Sequence, residues 1–265
     1  MIVDFETKCW EGDWEFLLKT TRLEKMIYNN DYKFSKKRLI INNIKEKTEV
    51  EKYARKKISK NIIDEYVYVE DYEDDVLNFF EIPKSFKFDD GYKYSISELT
   101  GIYLSDADFL VHFSSDSILI KNSNWIEKSI QIIKENDKIK STSPVEERSR
   151  QKSLKKSDEA AKLTQIFSDQ CYLIPINFFK NKIYNESNKN TKIYPDYGGE
   201  LFEKRICAYY YNYQYYRIVL TDSLYYSMNY KNLKFIKPII LCLNLDCPLL
   251  FSYIADLRRF FNNEL

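Results

Sequence analysis

Three places along the chain join residues able to do chemistry to positions from which they could do it. Ser114-Ser115-Asp116 directly follows the apolar run Phe109-Leu110-Val111-His112-Phe113. Gly198-Gly199 precedes Glu200, with Glu203 within the next turn. Asp169-Gln170 leads into the apolar run Cys171-Tyr172-Leu173-Ile174. A carboxylate at a strand end suits a hard divalent cation such as Mg2+ or Mn2+, which favours carboxylate oxygens and substrate phosphates. One Asp with two Ser hydroxyls binds such an ion weakly, so a substrate must supply further ligands; otherwise Asp116 simply caps the turn. Glu200 follows two glycines that let the backbone approach a ligand closely. A helix N-terminus keeps such a carboxylate ionised, as a general base requires, and Glu203 is its rival within one turn. Asp169 and Gln170 are placed to hydrogen-bond a substrate hydroxyl, or are polar residues at the start of a strand.

The hydrophobic pattern supplies the scaffold. Residues 2 to 5 read as an opening strand, and residues 13 to 28 as one helix with Asp13 as its N-cap and an apolar set at 3.6-residue spacing. Strands follow at 38 to 43, 66 to 69, 109 to 113, 171 to 174 and 216 to 220. Helices are expected at 47 to 60, 95 to 104, 125 to 135 and 199 to 213. Residues 141 to 162 read as a mobile loop or an exposed helix, and residues 187 to 196 as a polar loop. The alternation predicts an α/β fold with a mostly parallel sheet flanked by helices. Such sheets bind ligands at the carboxyl ends of their strands, which singles out Thr7 to Trp10, Asn42-Asn43, Glu70-Asp71 and Ser114 to Ser117.

Composition narrows the classes. Forty-one basic and 40 acidic residues give a net charge of +1, without the basic excess of a nucleic-acid binder, so no nucleic-acid partner is expected. Basic runs such as Arg55-Lys56-Lys57 read as solvated faces. The five cysteines show no CxxC spacing, which argues against a zinc site or disulfide framework and for reduced thiols in a cytoplasmic protein. Neither a signal peptide nor an 18-residue apolar run is evident. Residues 1 to 230 are read as one domain. Residues 231 to 265 form an apolar tail broken by Pro238 and Pro248, packed on the domain or touching a membrane surface peripherally through residues 254 to 261.

The ordered succession of motifs adds a family resemblance. Gly101 to Ser117 is similar to the middle of GT-A glycosyltransferases, where a helix, a turn and a hydrophobic strand lead to an Asp-x-Asp-like motif. Asn124-Trp125-Ile126-Glu127-Lys128 resembles the helix start that follows. Phe167 to Ile174 resembles the strand beside the acceptor, and Tyr197 to Arg205 the acidic helix start with its downstream Arg. Only the last carboxylate of the Asp-x-Asp position is kept, as Asp116. The late metal- or diphosphate-binding His of relatives is absent: the one histidine is His112, inside a strand, read as a core residue.

The resemblance implies a family-two-like, single-domain GT-A enzyme. It would move a hexosyl or N-acetylhexosaminyl group from a UDP-sugar to a glycan or lipid-linked acceptor, with inversion. Thr7, Lys8, Asn42 and Asn43 would line the nucleotide pocket, with Ser114 and Ser115 at the motif and Asp116 on Mg2+ or Mn2+. Lys93 or Arg205 would pair with the diphosphate, though Arg205 could equally hold a carboxylate. Two other readings stay open. A degenerate GT-A domain would bind nucleotide or glycan without transfer. A nucleotidyltransferase would need a Gly-rich phosphate loop after the first strand, which Thr7 to Gly12 does not provide.

Overall fold

Along Val3–Cys9 apolar and charged residues alternate, so this strand carries two unlike faces. In the computed structural model, which describes residues 1–82, 92–147, 161–194, 201–228 and 237–242, it is β1, inside the sheet. It pairs in parallel with β2 (Lys37–Ile41) and β4 (Phe109–Ser114), and β2 pairs in parallel with β3 (Glu65–Tyr68). The crossovers are α1 (Trp14–Lys19) with α2 (Arg22–Tyr28), then α3 (Lys47–Ser59), then α4 (Glu73–Phe79) with α5 (Tyr92–Leu104).

Beyond β4 the chain adds β5 (Ser117–Leu119), α6 (Trp125–Glu135), β6 (Ile139–Glu146), β7 (Ala161–Thr164) and β8 (Cys171–Pro175). These are followed by α7 (Ile176–Phe179), α8 (Phe202–Tyr213), β9 (Tyr216–Ser227) and α9 (Lys237–Cys242). Strand order is β3-β2-β1-β4-β8-β6-β9-β5, with β7 also on β9. The sheet is parallel through its first four strands. It turns mixed where β8 enters antiparallel between β4 and β6, while β6 and β9 run parallel.

Each face carries an apolar core. Val3, Phe5, Leu17, Leu39, Val111, Trp125 and Ile130 meet on the face covered by α1, α2, α3 and α6. Val76, Leu99, Leu110, Ile174, Phe202 and Ile206 meet on the face covered by α4, α5 and α8. The amphipathic helix expected at 125 to 135 forms over those residues, and Trp125 Nε1 donates to Asn30 Oδ1 at 2.8 Å.

Several expectations are corrected. The helix expected at 13 to 28 is two helices: Thr20 is extended (φ −106°, ψ −176°), and its hydroxyl donates to the Phe16 carbonyl and accepts from the Arg22 amide. A threonine hydroxyl competing for backbone partners breaks a helix that apolar spacing alone would continue. Asp13 precedes α1 but makes no side-chain cap there. Residues 141 to 146, read as loop, belong to β6, deep in the sheet between β8 and β9. Ser141, Thr142 and Ser143 are fully buried; the ladder on both sides takes up their backbone groups, and Ser141 Oγ accepts from Tyr210 Oη at 2.9 Å, while Thr142 Oγ1 has no hydrogen-bond partner among the described residues. Residues 161 to 164 form β7, and residues 148 to 160 lie outside the described residues. Within the loop expected at 187 to 196, Lys189–Ile193 forms a 3-10 turn capped by Asn188, which accepts from the Asn190 amide. The last strand runs on to Ser227. Of the tail, the described part is α9, where Lys237 pairs with Glu15 of α1; residues 254 to 261 lie outside the described residues. Among the described residues no helix is long and apolar enough to cross a membrane.

One contact fixes α5 on β1. A Cβ at Gly101 would land inside the carboxyl group of Glu6. In an open helix Gly→Ala stabilises by about 1 kcal/mol; here Gly101→Ala should instead destabilise by about 1–3 kcal/mol through overpacking. Urea unfolding decides the sign, and a stabilised variant would contradict this packing.

Candidate functional site

β1, β2 and β4 end side by side, and charged groups from several other segments gather at their carboxyl ends. Lys8 Nζ ion-pairs with Glu98 of α5 and stands 3.6 Å from Asp169 Oδ2, in the loop before β8. Glu98 is fully buried and accepts from Ser97 Oγ at 2.8 Å. Burial by itself would make Lys8 less basic; the carboxylates of Glu98 and Asp169 outweigh that and raise its pKa. Lys8 is therefore a fixed positive charge. Glu98 is nonetheless pushed up, because burial exceeds the help it gets from Lys8.

The strand-end motif is held by hydrogen bonds from several directions. Ser114 Oγ donates to the Asp169 carbonyl at 3.2 Å, and Ser115 Oγ donates to Asp13 Oδ2. Asp13 Oδ1 accepts from the Trp10 amide at 2.8 Å. Arg22, buried in α2, donates from Nε to the Ser115 carbonyl at 2.9 Å and from Nη2 to the Asp116 carbonyl at 2.7 Å. Asp116 accepts from Ser117 Oγ at 3.3 Å and Ser227 Oγ at 3.2 Å. Both hydroxyls also lie 3.0 Å from Gln170 Oε1. Burial, with the Asp169 charge adding and Arg22 opposing, pushes the Asp116 carboxyl up to about 6. Glu203, in the first turn of α8, is raised well above the carboxylate range by burial and then by Asp169. Asp116, Asp169, Glu98 and Glu203 thus share one region with Lys8, and among the described residues carboxylates there outnumber cations.

Beside it opens a 350 Å³ cavity lined by Lys8, Cys9, Trp10, Asn42, Asn43 and Ser97, among others. A neighbouring 450 Å³ cavity shares Asn42 and Asn43 and reaches Tyr68 and Glu70 at the end of β3. Asn43 has φ +50°, a left-handed conformation that Asn tolerates better than most residues. Trp10 is 39% exposed at the rim, and Gly12 leaves room for its indole, which a Cβ would strike. A larger cavity of 630 Å³ lies near the other end of β2, beside Lys37 and Asn61, and holds none of the clustered groups.

Of the residues singled out from sequence, Lys8, Asn42 and Asn43 meet at one cavity, and Ser114, Ser115, Asp116, Asp169 and Glu203 meet around Lys8. Thr7 is fully buried within the sheet, and its hydroxyl has no hydrogen-bond partner among the described residues. Arg205 is also buried, in α8, where it donates to the Tyr184 carbonyl and ties that segment to the helix. Lys93 lies in the first turn of α5, with its side chain outside the described part of the structure, and Glu200 lies outside the described residues. His112 is a buried core residue: its ring stacks on Tyr172 at 4.7 Å, and Nδ1 is 3.0 Å from Glu6 Oε1. Sequence reasoning missed Arg22, Asp13 and Glu98 as members of the site. Arg22 left a trace, being a cation on the apolar stripe between Leu18 and Met26. Among the described residues no three His, Cys, Asp or Glu side chains come together as a metal-binding group.

No protein-family model and no curated protein matches the sequence. The fold has solved relatives. The crystal structure of GalNAc-T7 with UDP, GalNAc and Mn2+ aligns over 97% of this chain with a TM-score of 0.53 and 11% identity. The chain has a GT-A fold. It covers 54% of the GalNAc-T7 chain, about half its length. The crystal structure of a mycobacterial protein aligns over 92% of this chain and 76% of its own, at 10% identity and a TM-score of 0.48. In this GT-A fold the charged cluster sits at the carboxyl ends of the parallel strands, where open α/β sheets bind ligands.

Asp13 offers a test of the electrostatics. Burial pushes its carboxyl from the usual 3.8 up to about 7. The folded state then binds the proton more tightly than the unfolded chain, so Asp13 costs stability progressively as pH rises from about 4 to about 7, and the cost is complete above that. Asp13→Asn can keep both hydrogen bonds without titrating. It should match wild type near pH 4 and exceed it by roughly 1–3 kcal/mol at pH 8. Urea unfolding at the two pH values checks this; an equal difference at both would refute it.

Proposed function

We propose that the chain transfers a sugar from a nucleotide-sugar, with a UDP-sugar as first choice, to a glycan or lipid-linked acceptor, with inversion. The observation that carries this is the set of carboxylates around Lys8 at the strand ends of a GT-A fold, beside a cavity lined by Asn42, Asn43 and Trp10. UDP and Mn2+ in the GalNAc-T7 structure support a nucleotide diphosphate and a divalent ion as ligands. Asn42 and Asn43 offer amide donors and acceptors to a uracil edge, and Trp10 a stacking surface.

One carboxylate, Asp116, is available to a divalent ion, whose further ligands the substrate diphosphate would supply. Asp116 is a carboxylate at a strand end, driven up to about 6 by burial and a neighbouring negative charge, the condition a cation relieves. Mg2+ or Mn2+ on Asp116 would stabilise the negative charge of the departing diphosphate. The chain's own residues do the rest. Lys8, kept protonated by Glu98 and Asp169, presents a positive charge at the diphosphate end of the cavity. Ser114 and Ser115 are tied to Asp169 and Asp13, and Arg22 grips the two carbonyls beside them, so the motif is set before substrate arrives. Glu203 takes the proton of the acceptor hydroxyl; its raised pKa is suited to a base near neutral pH. Glu200, at the same helix start in sequence, is the alternative base. The lone carboxylate of Ser114-Ser115-Asp116 favours a second reading, a GT-A domain that binds nucleotide or glycan without transfer.

Release of UDP from UDP-sugars with Mn2+ separates the two. Turnover by wild type, with a fall of about 10²-fold or more in Glu203→Gln or Glu200→Gln and a loss in Asp116→Asn, supports the transferase. Nucleotide binding with no turnover of any donor would favour the binding module.

A further inference from the structure

The 630 Å³ cavity at the start of β2 takes no part in the charged cluster. Lys37 lines it, whereas Asn42 lines the cavity beside Lys8. Five residues of extended chain put those two positions roughly 16 Å apart. The walls are fixed by contacts that reach the core. Tyr32 packs on Phe34 at 5.4 Å, and Phe34 on Phe5 of β1 at 5.2 Å. Asn30 is fully buried; it donates to the Met26 carbonyl at 2.7 Å and accepts from Trp125 Nε1, which anchors the turn after α2. Lys37 Nζ donates to the Asn61 carbonyl at 3.1 Å and ties the start of β2 to the turn after α3. Asp31 and Asn61 are both left-handed, with φ +46° and +58°, a conformation Asp and Asn tolerate. The chain thus turns sharply after each helix, and the cavity opens between the two turns.

The lining decides what could enter. Glu24 pairs with Lys57 at 2.6 Å and Lys37 with Asp64 at 3.7 Å. That leaves Asp31 and Lys33, one charge of each sign, and among the described residues neither has an ion pair. The hydroxyls of Tyr28 and Tyr32 and the side-chain amide of Asn61 make no hydrogen bond among the described residues. Ile27 and Ile62, both half-buried, supply an apolar wall. Tyr28 stands 71% exposed at this otherwise anchored place. An ionic ligand gains little where the charges cancel. A purely apolar ligand would strand the unpaired polar groups away from water. A neutral ring bearing many hydroxyls meets both conditions, because each hydroxyl donates and accepts and the C–H face packs on a tyrosine ring. The volume lies within the range of about 300–1,000 Å³ usual for small-molecule sites.

We infer that this cavity is a second binding site, separate from the strand-end cluster, and that it takes a neutral saccharide. The inference does not depend on the transferase reading. The test is saturation-transfer NMR with maltose, cellobiose, lactose and N,N′-diacetylchitobiose as probes and adenosine as a flat heteroaromatic control. UDP and Mn2+ are present throughout, to compete for the strand-end cavities. Wild type, Tyr28→Ala and Asn61→Gly are compared. At least one disaccharide should give a saturable signal on wild type. Tyr28→Ala should weaken that sugar by about tenfold, and because Tyr28 is exposed the fold should be unaffected. Asn61→Gly removes the amide while allowing the left-handed backbone, and should weaken the same sugar. No signal from any of the four sugars on wild type would overturn the assignment. So would equal affinity in wild type and both variants, which would put the sugar elsewhere on the molecule. Binding of adenosine but of none of the sugars would overturn the ligand class.

Discussion

A central strand with charges on a buried face is the constraint around which this molecule is built. Asp4, Glu6 and Lys8 alternate with Val3, Phe5 and Thr7 along β1, and all three point to the α5 side. Each needs a partner from another element, because a buried charge left alone is costly. Asp4 accepts from Ser105 Oγ after α5 and feels Arg38 of β2. Glu6 lies opposite His112 of β4 in the register and meets its Nδ1. Burial drives that pair to neutral forms, Glu6 upward and His112 downward. Lys8 is the member that stays charged, and it draws Glu98 and Asp169 to the strand ends. Gly101 leaves the room α5 needs to sit over Glu6. The same set of contacts thus fixes the seating of α5, the alignment of β1 with β4, and the charge at the site.

The alternating elements around β1 were legible because apolar periodicity reports burial directly. The helix over Trp125–Glu135 and the strands through Leu39, Val67, Val111 and Leu173 all carry strong patterns. β6 was not legible, because Ser141, Thr142 and Ser143 look like loop residues until the ladder on each side is known. The break at Thr20 escaped for a related reason: it depends on where one hydroxyl finds a carbonyl. At the site, Asp116 and Lys8 could be picked out as polar residues after strands. Their partners could not, since Glu98, Asp13 and Arg22 converge on them from helices and turns far away in sequence. Burial and mutual repulsion, which set the pKa values of Asp116 and Glu203, exist only after folding.

Among the described residues, carboxylates in the cluster outnumber cations. Lys8 is shared between two carboxylates, and Arg22 reaches Asp116 through its carbonyl while acting on the carboxyl only at a distance. A nucleotide diphosphate brings more negative charge, so on this account it binds well only with a divalent cation. Isothermal titration of wild type with UDP, in the presence of Mn2+ and in its absence, tests this most directly. The account predicts that Mn2+ raises the affinity for UDP by about tenfold or more, the scale of one strong charge-assisted contact. Equal affinity with and without the ion, or no binding of UDP in either case, would contradict it.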